Sequence, residues 1–306
     1  MIKISHSDIS SFLRCKRQFN WSYVSDFVAP ERLYGPLACG SRVHAAINLH
    51  HTTDQNAVEI HERLVQLDEQ AMKSLGQPDW AFREFYNDAI MGRNCCIAYL
   101  AWIETEGPYD GYILLSEEAM EMPICNGRAI LRGKADLVLT RESDGVVFTD
   151  DYKTASPHTR TSLPPTLERS YQHHVYAALS NHHFPDRRIG GSYYTILYKT
   201  KAPGRMTHPM IERLPIHAHA SSTPIKLRQI EQIVSDMLDT MERLETIGPQ
   251  VAYPSPGDSC RWCSFKHPCT MQDENPLGAR AMLDAEFNRG GRHARYDDPN
   301  PTTQGE

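Results

Sequence analysis

Three polar residues in the middle of the sequence could do chemistry together. Asp136 lies in one β-like segment, and Asp151 and Lys153 lie two residues apart in the next. Because residues two apart in a strand share a face, Asp151 and Lys153 should point the same way. Ser143-Asp144-Gly145 between the segments is a hairpin turn signal. The pattern therefore predicts a hairpin with one acid on its first strand and an acid and a lysine on its second.

Two registers are open for this hairpin. A Ser143-Asp144 loop places Asp136 opposite Asp151, whereas an Asp144-Gly145 loop places Asp136 opposite Lys153. Either register puts the three side chains on one face. Carboxylates about 5 Å apart repel each other unless a cation lies between them. The arrangement therefore indicates a divalent metal with oxygen ligands, Mg²⁺ or Mn²⁺.

Lys153 could orient a nucleophilic water, help to deprotonate it, or stabilise charge that develops on a phosphate. The alternative is a surface hairpin with a cross-strand salt bridge, which contributes little. Tyr152 and apolar neighbours such as Leu137 and Phe148 indicate central strands. Acids on a central strand need partners, which favours a site.

Two further segments could complete the site. His44 lies one helical turn after Gly40, a residue that allows close backbone approach, and a neutral imidazole can ligate metal. His51, on the same segment, is interpreted as a surface residue. Gln172 and Tyr176 form a stripe at i, i+4 spacing beside the apolar face of a predicted helix, and could contact a phosphate or a base. For His44 the alternative is a partly buried histidine of a helix. For Gln172 and Tyr176 it is the ordinary boundary between the apolar and polar faces of an amphipathic helix.

The cysteines form a second pattern. Cys260, Cys263 and Cys269 make a C-x₂-C-x₅-C arrangement in a segment rich in proline and glycine, and Cys15 could supply a fourth ligand. Such a set suits structural zinc or an iron–sulfur cluster.

The elements around these residues predict an α/β fold. Residues up to about 107 read as helical, including helices near 56–75 and 80–105, with Ser7 as the first cap. Strands are predicted at 112–124, 129–140, 146–154, 191–199 and 210–216, one helix opens at Pro164-Pro165, and another covers 224–246. The prediction is one domain over 1–270: a helical part (1–107), a core (110–246) and a cysteine segment (248–270). Residues 271–306 are expected to form a partly disordered tail.

Composition narrows the function classes. Thirty-two Lys and Arg against 38 Asp and Glu give a net charge of −6, so nucleic acid would be bound by a local basic groove and not by bulk charge. No apolar run is long enough to span a membrane, and the first residues do not resemble a secretory signal. A cytoplasmic protein of a bacterial or phage-infected cell is expected, and no membrane interaction.

In combination, these motifs resemble the RecB-like branch of the PD-(D/E)XK nuclease superfamily. The matching positions, in the family's order, are Ser7, Ser10, Phe12 and Cys15; Gly40 and His44; Gly133 and Asp136; Asp151, Tyr152, Lys153 and Thr154; and Gln172 and Tyr176. One departure is Ala135, which stands where the superfamily's name has proline. That proline is not a ligand, so catalysis is not put in doubt.

The resemblance implies a restriction-endonuclease-like core, a mixed central sheet flanked by helices, with a helical insertion and a C-terminal metal-cluster segment. It implies metal ligation by His44, Asp136 and Asp151, Lys153 as the catalytic lysine, and substrate contacts from Gln172 and Tyr176. RecB-like nucleases with this cysteine pattern, among them CRISPR-associated exonucleases and AddB-type subunits, are similar in holding a [4Fe-4S] cluster. The resemblance therefore favours such a cluster on Cys15, Cys260, Cys263 and Cys269, with zinc as the alternative.

The expected function is a Mg²⁺- or Mn²⁺-dependent deoxyribonuclease, an exonuclease rather than an endonuclease, in recombination, repair, replication or phage DNA metabolism. No Walker A sequence is present, so unwinding would require a helicase partner. The alternative is a non-cutting iron–sulfur or zinc DNA-binding subunit of a recombination complex.

Overall fold

The computed structural model describes residues 1–30, 32–53, 55–105, 111–217, 223–290 and 296, without the side chains of residues 111 and 112. The chain divides into two compact units. One, the sheet unit, comprises residues 32–118 and 134–220; the other, the cysteine unit, comprises residues 1–31, 119–133 and 221–306. Neither unit coincides with a part predicted from the sequence, and the one-domain organisation stays a prediction.

The strands of the described chain are β1 (Ile2–Ser5), β2 (Phe27–Val28), β3 (Gly111–Ser116), β4 (Ala119–Ile124), β5 (Ala129–Lys134), β6 (Leu137–Arg141), β7 (Val147–Ala155), β8 (Ile189–Tyr198), β9 (Ile211–His217) and β10 (Asn288–Arg289). The helices are α1 (His6–Arg14), α2 (Lys16–Phe19), α3 (Pro36–Thr52), α4 (Ala57–Ser74), α5 (Asp79–Thr105), α6 (Leu163–Glu168), α7 (Gln172–His183), α8 (Thr223–Thr246), α9 (Lys266–Gln272) and α10 (Pro276–Glu286). A mixed α/β architecture is confirmed.

The sheet unit is built on five strands in the order β3-β6-β7-β8-β9. Strands β7 and β8 are parallel, and the other neighbours are antiparallel. Because a parallel pair needs a long crossover, the chain leaves β7 and returns to β8 through α6 and α7. The hairpin of β6 and β7 pairs Leu137 with Asp150. This is the first of the two predicted registers.

Apolar side chains cover both faces of this sheet. On one face, α3, α4 and α5 pack through a buried cluster that includes Val43, Ile47, Tyr99 and Tyr152. A second cluster joins Leu167 of α6 to side chains of β8. Removing each large apolar side chain from water contributes about 1.5–3 kcal/mol. This packing gives the sheet fixed positions from which to present polar groups.

Two predicted strands are interrupted. Residues 112–124 form β3 and β4, and residues 129–140 form β5 and β6. At the first break Glu117 has a φ of +52°, a left-handed conformation that ends regular pairing. Strands β3 and β6 join the five-stranded sheet, whereas β4 and β5 form a three-stranded sheet with β1. Apolar residues flank each break closely on both sides, so each segment reads as a single strand in the sequence.

In the cysteine unit, α1 begins two residues earlier than predicted. Ser5, not Ser7, is the cap: its hydroxyl accepts a hydrogen bond from the Asp8 amide at 3.4 Å, while the Asp8 carboxylate accepts from the Ser5 amide at 2.6 Å. This reciprocal capping box satisfies two donors at the helix start.

The predicted tail begins as regular structure. Helix α10 is capped by the Asn275 side chain, which accepts from the Gly278 amide at 2.9 Å, and β10 pairs with β2. The part of the disorder prediction that concerns residues 291–306 falls, apart from Tyr296, outside the described residues. Among the helices that are described, none has the length and apolar character needed to cross a bilayer.

The single helix predicted after Pro165 is two helices. Helix α6 ends at Glu168 and α7 begins at Gln172. The Ser170 hydroxyl accepts a hydrogen bond from the Gln172 amide at 3.1 Å, which satisfies a donor at the new helix start. The break places Gln172 in the first turn of α7, one turn before Tyr176.

Candidate active site

Strand β7 continues beyond the end of its neighbour β6. The described β6 ladder stops at Asp150, while β7 stays paired with β8 as far as Ala155. The Tyr152 amide, on this extension, donates to the Asp136 carboxylate at 2.5 Å. Asp136 lies immediately before β6. Its hydrogen bond therefore attaches the start of β6 to the part of β7 that extends beyond the β6 ladder.

Asp151 and Lys153 share a face of β7, as their spacing predicts, and they also contact each other directly. The Lys153 ammonium donates to Asp151 Oδ2 and, at 3.1 Å, to Gln172 Oε1. Gln172 Nε2 in turn donates to Asp151 Oδ1 at 2.8 Å. The Tyr176 hydroxyl lies 3.1 Å from the same carboxylate oxygen. Helix α7 therefore supplies an amide and a hydroxyl that hold the acid and the lysine in one arrangement.

His44 approaches from α3. Its Nδ1 lies 3.4 Å from Asp136 Oδ1. One turn earlier, a Cβ added to Gly40 would lie 2.8 Å from Thr154 Oγ1 of β7. Only glycine allows this approach of helix to strand. The predicted role of Gly40 therefore has a geometric basis, because the close approach brings His44 to Asp136.

His51 is not the surface residue that the sequence suggested. Its Nε2 lies 2.6 Å from the Tyr99 hydroxyl, which lies 2.9 Å from the Tyr152 hydroxyl. Burial lowers the pKa of His51 to about 4. The sequence around His51 carried no signal for this contact, which arises because α3 packs against α5 as well as the sheet.

The two aspartates differ in their electrostatics. Burial opposes the ionisation of Asp136, but His44, Lys153 and the Tyr152 amide outweigh it and hold the pKa of Asp136 below its usual value. Burial raises the pKa of Asp151, to which the charge of Asp136 adds, although Lys153 opposes the shift.

The site is partly open to solvent. The side chains of His44 and Lys153 are 28% and 27% exposed, whereas Asp136 and Asp151 are at 13% and 7%. A substrate could therefore reach the lysine and the imidazole while the carboxylates remain largely shielded from water. Shielding strengthens electrostatic interactions at such a site.

Sequence reasoning missed two residues at this site. Glu117 pairs with the Lys134 ammonium at 2.9 Å, and its amide donates to the Asp136 carbonyl at 3.1 Å. Burial and the nearby charge of Asp136 raise the pKa of Glu117. The available signal was Glu117-Glu118, two consecutive acids inside a predicted strand. Their interruption of the alternating pattern marks the turn.

The donor types fit a divalent cation. Two carboxylates and an imidazole are ligands that Mg²⁺ and Mn²⁺ accept. In the described part of the chain, however, no group of three or more His, Cys, Asp or Glu side chains is gathered closely enough to hold a metal. The side chains of Lys153 and His44 lie beside the two carboxylates.

The four predicted cluster cysteines line one cavity. Cys15, Cys260, Cys263 and Cys269 all border a space of about 320 Å³ within the cysteine unit. Burial raises the pKa of Cys263, to which the three other thiols add. Thiols are suitable donors for iron or zinc, although among the described residues these four are not gathered closely enough to hold a metal.

One known protein family matches most of the chain. The model of the PD-(D/E)XK nuclease superfamily matches residues 3–270. No curated protein matches the chain. A solved structure described as the crystal structure of SSO0001 is 13% identical over 87% of this chain and 85% of that chain, with a TM-score of 0.36. That TM-score is too low to carry an argument.

Proposed function

The chain belongs to the PD-(D/E)XK nuclease superfamily, and on that premise we propose that it is a metal-dependent deoxyribonuclease of the RecB-like branch. Members of the superfamily are usually nucleases and typically use Mg²⁺ or Mn²⁺. The observation that carries the proposal is the contact of Lys153 with Asp151, beside the Asp136 and His44 pair. An acid and a lysine joined in this way suit hydrolysis of a phosphodiester.

His44, Asp136 and Asp151 would hold the cation. When bound, it would neutralise charge on the scissile phosphate and make water a better nucleophile. Lys153 would present its side-chain amine to the scissile phosphate and stabilise charge that develops there. Gln172 keeps the ammonium in place through its Oε1 at 3.1 Å. Each of these residues thus has a separate task at a site positioned by β7, α3 and α7.

The substrate is DNA, with cleavage from an end. Gln172 and Tyr176 also hold the substrate strand, from positions where they already contact Asp151. The enzyme acts in the cytoplasm, in recombination, repair, replication or phage DNA metabolism, and a helicase partner supplies unwound strands where these are needed.

A [4Fe-4S] cluster on Cys15, Cys260, Cys263 and Cys269 belongs to the same proposal, with zinc as the alternative. The four residues border one cavity, and they come from both ends of the chain. A metal that joins Cys15 to the three later cysteines would link distant segments and stabilise the cysteine unit.

The experiment is a time course on end-labelled single- and double-stranded DNA with Mg²⁺, Mn²⁺ or EDTA. Mononucleotides or short products released from one end, only with metal, are expected. Asp151→Asn should lower the rate by on the order of a hundredfold or more. Equal cleavage in EDTA, or by the Asp151→Asn variant, would contradict the proposal.

A further inference from the structure

Glu117 adopts an unusual backbone conformation beside the candidate active site. Its φ of +52° lies in the left-handed region, which side chains with a Cβ rarely occupy. Residues held in such conformations persist when surrounding contacts determine them. Here the Glu117 amide donates to the carbonyl of Asp136 at 3.1 Å. The strained residue is thus attached directly to the backbone of a proposed metal ligand.

The Glu117 side chain holds a second part of the same segment. Its Oε2 lies 2.9 Å from the ammonium of Lys134, whose side chain is only 8% exposed. An ammonium this well shielded from water requires an acidic partner. Glu117 therefore contacts both ends of segment 134–136. Its side chain forms an ion pair with Lys134, and its backbone amide forms a hydrogen bond with Asp136.

From Lys134 the contacts continue to the other carboxylate. The Lys134 carbonyl accepts a hydrogen bond from the Tyr176 hydroxyl at 3.0 Å. The same hydroxyl lies 3.1 Å from Asp151 Oδ1. Segment 134–136 therefore connects with both carboxylates, with Asp136 as its last residue and with Asp151 through Tyr176.

We propose that Glu117 is a positioning residue, which fixes segment 134–136 and so sets the separation of Asp136 and Asp151. The inference rests on the proposed function, since the two carboxylates are the proposed metal ligands. Glu117 acts through Lys134 and does not itself bind the cation. Residues that orient metal ligands in this way typically change metal affinity 10- to 100-fold when they are replaced.

The test is Mn²⁺ affinity, measured by titration calorimetry on the full chain, with cleavage and thermal unfolding followed in parallel. Glu117→Gln keeps the size of the side chain and removes its charge. It should weaken Mn²⁺ binding on the order of tenfold and raise the Mn²⁺ concentration needed for half-maximal cleavage. Glu118→Gln is the matched control, because Glu118 is the adjacent, exposed acid. It should change neither value.

Two further variants separate positioning from folding. Glu117→Gly keeps the amide and suits a positive φ, so the backbone hydrogen bond to Asp136 should persist while Mn²⁺ binding weakens as much as in Glu117→Gln. Lys134→Gln should lose a similar factor, and the Glu117→Gln/Lys134→Gln double variant should lose no more than either single variant. Additive losses would overturn action through Lys134.

The outcomes distinguish this inference from the function on which it rests. Wild-type Mn²⁺ affinity in Glu117→Gln and Glu117→Gly would overturn the inference and leave the nuclease proposal standing. Absence of Mn²⁺ binding and of cleavage in the wild-type protein would reject the proposed function and the inference together.

Discussion

Asp150 and Asp151 are consecutive in the chain, and their carboxylates serve opposite faces of β7. Asp150 is fully buried, accepts from the Thr195 hydroxyl at 2.9 Å and pairs with Arg213 at 3.1 Å. Asp151 is held instead by Lys153 and Gln172. Strand alternation explains the difference. One acid secures β7 to β8 and β9, while its neighbour belongs to the candidate active site.

Substitution should separate these two roles. Asp150→Asn leaves Arg213 without its buried counter-charge, so the free energy of unfolding should fall by about 3 kcal/mol. The variant should keep its Mn²⁺ affinity. Asp151→Asn should unfold like the wild type and lose cleavage. Chemical denaturation and the end-labelled DNA assay measure the two effects. Loss of cleavage without loss of stability in Asp150→Asn would reverse the assignment.

The close approach of α3 to β7 gives a second prediction. Gly40→Ala would place a Cβ 2.8 Å from Thr154 Oγ1, so helix and strand must move apart and His44 must move with the helix. Stability should fall by about 1–3 kcal/mol, and Mn²⁺ affinity should fall with it.

Removal of the Thr154 hydroxyl provides the control for Gly40→Ala. In a Gly40→Ala/Thr154→Ala double variant the clashing atom is absent, so both stability and Mn²⁺ affinity should recover. Thr154→Ala alone should bind Mn²⁺ like the wild type. A double variant as impaired as Gly40→Ala would show that space is not the reason for glycine.

His61 predicts acid sensitivity of the sheet unit. It is buried between α4 and α5, with Gly92 providing the space, and among the described residues its ring nitrogens have no hydrogen-bond partner. Burial, together with the positive charge of Arg42, lowers the pKa of His61 from 6.5 to about 4, while Glu62 opposes the shift. The folded state therefore favours the neutral ring.

The sign of the effect follows from linkage. The unfolded chain takes up the proton near pH 6.5, so the stability that neutral His61 contributes is complete above that pH and declines as the pH falls towards 4. The full loss is at most about 3 kcal/mol. Denaturant unfolding from pH 7 to 4 should show a shallower decline in His61→Leu than in the wild type. His182→Leu, at an exposed position, should leave the slope unchanged; equal slopes in all three proteins would refute the prediction.

We predict that the cysteines at the cavity bind a metal, and that binding requires Cys15 as well as the three later cysteines. Anaerobically purified wild-type protein should contain iron and sulfide and absorb visible light. Cys15→Ser should lose the metal and unfold at a lower temperature, although Cys15 is far in sequence from the other three. Cys125→Ser is the control, since Cys125 does not border the cavity. Stoichiometric zinc without iron would identify the alternative metal, and full iron in Cys15→Ser would remove Cys15 from the ligand set.

The sequence contained most of the candidate site because the relevant patterns are local. Strand alternation predicted that Asp151 and Lys153 share a face, and helical spacing placed Gln172 one turn from Tyr176. The hairpin signal narrowed the register to two choices, one of which the structure has. None of these inferences needed knowledge of the tertiary packing.

Features that depend on backbone breaks or on packing between elements could not be predicted in this way. The left-handed turn at Glu117 lies inside a segment whose flanking apolar residues read as one strand. His51 is partly buried because it contacts Tyr99 of α5 and Tyr152 of β7, and the periodicity of α3 alone does not contain these contacts. The role of Asp150 depends on Arg213, which lies on β9 and is far from it in sequence.

The central claim is that His44, Asp136 and Asp151 together bind the catalytic cation at one site. Anomalous diffraction from crystals soaked in Mn²⁺ tests it most directly. The account predicts an anomalous peak within ligand distance of all three side chains, and its loss in crystals of Asp136→Asn. A protein that degrades DNA while Mn²⁺ occupies a place away from these residues would contradict it.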